Sequence, residues 1–64
     1  MDYDFDVMFS DVNEGKVLAL EVGVRPNGSP VFRVSFFNGL KWAGARYSTF
    51  GAALTTYKFL KRVM

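Results

Sequence analysis

Sixty-four residues without a cysteine or a histidine exclude disulfides, thiolate metal sites and the commonest metal ligand, and leave packing as the source of stability. Half the residues are hydrophobic and 17% are aromatic, enough for a core and too many for a disordered chain. The net charge of +2 is unevenly spread: residues 1–14 hold five acids and no base, whereas residues 15–64 hold all eight bases against Glu21 alone. That balance suits an anionic partner unless the chain's own acidic start neutralises the bases.

Residues 1–64 read as a single small α+β domain. No apolar run approaches the ~18 residues of a membrane span. The start, Met1-Asp2-Tyr3-Asp4, lacks the positive region of a secretory signal, so a cytoplasmic setting and no membrane partner are expected.

Tyr3, Phe5, Val7 and Phe9 alternate with Asp2, Asp4, Asp6 and Met8. That period of two predicts a first strand with aromatics inward and carboxylates outward. Ser10 to Gly15 carries turn chemistry. Lys16–Val24 reads as a second strand, closed by a stiff loop in which Pro26 and Pro30 bracket Asn27-Gly28. Val31–Phe37 and Leu40–Tyr47 read as the third and fourth strands. Between them Asn38-Gly39 predicts a two-residue hairpin turn pairing Phe37 with Leu40, Ser35 with Trp42, Arg33 with Gly44 and Val31 with Arg46. The last element is a helix capped by Ser48 or Thr49, with apolar residues at 50, 53, 54, 57, 60 and 64 on one 3.6-residue face. The expected fold is therefore an antiparallel sheet of three to four strands in ββββα order, with the C-terminal helix on its apolar face.

Carried through the second and third strands, this register pairs Arg25 with Val31, Gly23 with Arg33 and Glu21 with Ser35. One face becomes apolar (Leu18, Leu20, Val22, Val24, Phe32, Val34, Phe36) and receives the helix against small Ala43 and Ala45. The other presents Arg25, Arg33 and Arg46 at one end, with Gly23 and Gly44 flanking Arg33, and Trp42, Phe37 and Leu40 towards the other end, with Lys41 nearby. Guanidinium groups for phosphates and flat rings for bases are the means by which sheets hold nucleic acid, single-stranded or duplex. The first expectation is a nucleic-acid-binding module using Arg25, Arg33, Arg46, Lys41, Trp42 and Phe37.

The alternative is a protein–protein interaction module, an inhibitor or adaptor of the kind viruses and mobile elements encode, using the aromatic patch, the acidic strand or the flank of the helix. A third reading is a purely structural surface, with Trp42 covered by the N-terminal segment and the arginines paired with Asp2, Asp4, Asp6 and Glu21. On the helix, Ala52, Phe59 and Val63 lie off the core stripe and exceed what a helix resting on one sheet requires. Either the first strand or loop covers them, or they form an interface, with Leu40, to a second copy or another partner. No cofactor is implied. The spaced aspartates lack a calcium-loop pattern, and no serine has an evident base, so neither a metal site nor an enzyme is expected.

The run Trp42-Ala43-Gly44-Ala45-Arg46, followed by Thr49-Phe50 opening a helix with Ala53, resembles the strand–strand–helix end of the three-stranded DNA-binding domains of phage-type integrases. The resemblance implies DNA contacts from the sheet by Arg25, Arg33 and Arg46. The acidic helix start of that family is missing, and an extra acidic strand precedes the sheet.

Overall fold

A computed structural model describes residues 4–64. Four strands, β1 (Asp6–Asn13), β2 (Lys16–Val24), β3 (Pro30–Phe37) and β4 (Trp42–Tyr47), form one antiparallel sheet in the order β1-β2-β3-β4, and helix α1 (Phe50–Val63) follows. The ββββα architecture is the expected one. No helix among the described residues is long and apolar enough to cross a membrane.

The alternating apolar residues of β2 and β3 put Leu18, Leu20 and Val34 on one face of the sheet, where they bury against Ala53 and Tyr57 of α1. Phe32, Phe36, Tyr47, Leu54, Leu60 and Met64 complete that layer. Leu18 and Leu20 are fully buried, each contributing about 1.5–3 kcal/mol relative to an exposed side chain. Thr49 caps the helix through its hydroxyl, which accepts from the Ala52 N–H, and Lys61 and Arg62 occupy the last turn, where the helix dipole favours cations.

Three local readings are corrected. The first concerns turns. The tight two-residue turn is Glu14-Gly15, where both residues take positive φ (52° and 79°) and Asn13 pairs with Lys16. β1 therefore runs on to Asn13 through the stretch expected to be loop. At Asn38-Gly39 only the glycine takes positive φ, 101°. Asn38 instead uses its side chain: Oδ1 accepts from the N–H groups of Leu40 and Lys41 at 2.9 and 3.1 Å. The connection is four residues long, and Phe37 pairs with Trp42 rather than Leu40.

The second correction is register. β3 pairs with β4 two residues away from the expected alignment, and so does β2 with β3, where Glu21 faces Arg33 and Gly23 faces Val31. A slip of two preserves which face each side chain occupies, whereas a slip of one would have reversed it. The third concerns β1. The pairing jumps between Val7 and Phe9, leaving Met8 in a β-bulge. The bulge breaks the alternation, so the aromatics do not share a face. Phe9 lies on the helix side against Phe50 and Tyr57, whereas Phe5 lies on the opposite side against Arg33. Asp2 and Tyr3 fall outside the described residues.

Candidate functional site

The helix leaves the reverse of the sheet open, and the residues predicted to act there occupy it unequally. Register places Val7, Ser10 and Val12 of β1, Val17, Ala19, Glu21 and Gly23 of β2, Arg33, Ser35 and Phe37 of β3, and Trp42, Gly44 and Arg46 of β4 on this outer face.

A polar knot sits at its centre. Because Glu21 and Arg33 are direct cross-strand partners, their side chains meet in a bidentate pair: Arg33 donates from Nε to Oε1 at 2.9 Å and from NH2 to Oε2 at 3.0 Å. Ser35, next along β3 on that face, donates its hydroxyl to Oε1 at 2.7 Å. The Arg33 hydrogen bonds hold Glu21 below the usual carboxylate range, against the opposing effect of burial and with help from Ser35. Reciprocally, Glu21 raises Arg33. The Phe5 ring covers the guanidinium, with the Arg33 Cζ 4.0 Å from its centroid. Arg46, opposite Arg33 across β3 and β4, lies 5.7 Å from the same ring.

The three arginines sit in different settings. Arg33 is held on both sides. Arg25 is in the loop after β2, not on the sheet: its guanidinium donates to the Pro30 carbonyl at 2.8 Å and to Ser29 Oγ at 3.4 Å, bracing the β2–β3 loop. Gly23 and Gly44 do not flank Arg33 directly; they face Val31 and Ser35, and Phe5 packs over Gly23 where a Cβ would stand 3.2 Å from its ring. Among the described residues, Asp4 and Asp6 of the acidic start do not pair with Arg33. Glu21 does.

Beside the knot the face is apolar. A shallow groove of about 620 Å³ runs between Val7 and Ser10 on one side and Trp42 to Gly44 on the other, floored by Val17, Ala19, Glu21, Arg33 and Ser35. Trp42 is 58% exposed at its rim and packs against Phe37 with ring centroids 5.3 Å apart, as expected for directly opposed residues. Leu40 and Lys41 stand in the β3–β4 loop beyond that end, Leu40 90% exposed.

The helix flank is a separate place. Thr56 donates to the Tyr47 hydroxyl of β4 at 2.9 Å, which orients α1 with Thr56 towards that strand. Ala52, Phe59 and Val63 lie within about 60° of Thr56 around the helix, and all three are exposed. β1 does not cover them, because it lies on the other side of α1. There the Tyr57 hydroxyl donates to Asp11 Oδ2, and Lys61 reaches Asp11 Oδ1 at 3.7 Å. Burial, then the bond and charge of Asp11, push the Tyr57 phenol well above its ordinary range. Asp11 was expected in a loop, and its clasp on the helix follows only once β1 is extended to Asn13.

Sequence reasoning also missed Phe5 and Ser35. Phe5 was assigned to the core face because nothing in the alternation marks Met8 as a bulge. Ser35 was placed opposite Glu21 and is instead its diagonal neighbour. Comparison with known protein families, curated proteins and solved structures gave no match for the chain.

Proposed function

We propose that the chain is a small protein-interaction module, an adaptor or inhibitor, that engages a protein partner through the outer face of its sheet with Trp42 as the anchor. The observation that carries this reading is the Glu21–Arg33–Ser35 knot. It satisfies the central arginine internally and leaves the surface beside it dominated by Val7, Val17, Ala19 and Trp42. Apolar centres anchored by a tryptophan and edged by polar groups are the usual make-up of the energetically dominant part of an interface. A guanidinium already bidentate to a carboxylate contributes little to holding a phosphate.

The test is comparative capture from nuclease-treated lysate with the wild-type chain, Trp42→Ala and Lys58→Ala as baits. The reading expects one stoichiometric protein retained by wild type and Lys58→Ala and lost with Trp42→Ala. Equal retention by all three contradicts it.

The exposed Trp42 beside Phe37, with Lys41 in the adjoining loop and Arg46 further along β4, favours a second reading in which this part of the sheet stacks on nucleic-acid bases. Under it, short single-stranded or duplex oligonucleotides bind more tightly than about micromolar at ~50 mM salt, and affinity falls steeply as salt rises. Absence of such binding removes this second reading.

A further inference from the structure

Both outer strands of the sheet end in an unpaired edge among the described residues, and they differ in how that edge is treated. β1 carries a bulge at Met8 and two aspartates, Asp6 and Asp11. β4, Trp42–Tyr47, pairs with β3 without interruption and contains no proline, no acid and no bulge. Bulges, prolines and charges are the devices by which edges avoid pairing with another chain, and of these β4 carries one charge, Arg46. The bond from the Asn38 N–H to the Lys41 carbonyl (3.2 Å) sets the alternation along the hairpin. Ala43, Ala45 and Tyr47 exchange backbone bonds with β3, so the backbone groups of Trp42 and Gly44 face the open edge.

We propose that two copies of the chain pair antiparallel along their β4 edges, with Gly44 on the two-fold axis, to make one continuous eight-stranded sheet. Only residues whose backbone faces outward can exchange bonds across the axis, which sets Gly44 opposite Gly44 and Trp42 opposite the second copy's Arg46. Ala43 then stands opposite the second copy's Ala45. The glycines place no side chain at the axis, and the alanines form small apolar pairs on the helix side. No like charges face each other. The other register of equal length sets Arg46 opposite Gly44 and leaves Trp42 beyond the ladder.

Two further observations favour a second copy as the occupant. The flank carrying Ala52, Phe59 and Val63 lies on the β4 side of α1, with Phe59 57% and Val63 64% exposed. A two-fold axis at β4 brings an identical apolar flank to the opposite bank of the groove formed by Ala43, Ala45, Thr56 and Leu60. The bulged β1 edge cannot continue the ladder, so the assembly closes at two copies rather than growing into a filament.

The experiment measures mass in solution by light scattering at about 100 µM chain, well above a micromolar dissociation constant, for three proteins. Wild type should have twice the 7.2 kDa chain mass. The double variant Ala43→Lys/Ala45→Lys sets lysine opposite lysine twice and should have the chain mass. Ala43→Glu/Ala45→Lys sets glutamate opposite lysine twice and should regain the doubled mass. Ala43 and Ala45 are exposed, so folding is expected to persist and is checked by circular dichroism. If the first variant does not fold, the Glu/Lys variant still decides the matter against wild type. A wild type at chain mass, a folded Lys/Lys variant at doubled mass, or a Glu/Lys variant at chain mass overturns the proposal.

Discussion

At one edge of the sheet, β1 is bulged at Met8 and clasped to the helix by Asp11, which receives the Tyr57 hydroxyl and faces Lys61. At the other edge, β4 is regular, built of small residues at its middle, and tied to the helix through the neutral Tyr47–Thr56 hydrogen bond. The bulge does two things at once. It blunts an edge, and it turns Phe5 over to the outer face, where it covers Arg33. One inserted residue thus decides both which edge is available and how much of the basic surface is open.

The largest effect should come from removing the clasp that distinguishes β1. Tyr57 is also a core side chain, so Tyr57→Ala should cost about 3–5 kcal/mol, read by chemical denaturation, and should release β1 before β4. Next is the knot between the edges. Glu21→Gln weakens the acceptor of Arg33 and Ser35 and should cost about 1–2 kcal/mol, the lower part of the range for charged hydrogen bonds because Arg33 is partly solvated. Its pH signature has a definite sign. Glu21 is held below its ordinary value of 4.5 in the folded chain, so its contribution is present above that value and is lost as pH falls through the lowered one. Acid titration of stability should therefore be shallower in Glu21→Gln than in wild type.

Deleting Met8 removes the bulge that most distinguishes the β1 edge, leaving Asp6 and Asp11 in place. Val7 and Phe9 already face adjacent residues of β2, Glu21 and Leu20, so the deletion preserves every other pairing. Stability should change by less than about 1 kcal/mol, but association should become open-ended, seen as mass rising with concentration beyond two copies. Smallest is Gly39→Ala. Its φ of 101° strains any side chain and should cost about 1 kcal/mol, against essentially nothing for Gly51→Ala, where space is open and the backbone is helical.

The fold was legible because Leu18, Leu20, Val34 and the helix stripe at 53, 57 and 60 carry strong periodicities, and burial of one face fixes side-chain parity even when alignment slides by two. Turn length was not legible. Asn-Gly permits a tight turn, but the Asn38 side chain satisfies Leu40 and Lys41 in a longer one, while Glu14 accepts a left-handed conformation that its type does not advertise. The site suffered most from that gap. Arg33 keeps its predicted face, yet its neighbours changed from glycines to Glu21 and Arg46, which turns an open cation into a satisfied one. The open β4 edge was implicit in the strand order but invisible until β1, rather than β4, was seen to carry the bulge.

Backbone amide exchange on the wild-type chain tests the difference between the edges directly. The Glu14-Gly15 turn directs the amides of Ser10 and Val12 to the open side of β1, as the β3–β4 hairpin directs those of Trp42 and Gly44 to the open side of β4. At concentrations above the dissociation constant, Trp42 and Gly44 should exchange at least about tenfold more slowly than Ser10 and Val12, and lose that protection on dilution. Equal exchange at the two edges, unchanged by dilution, would contradict the account.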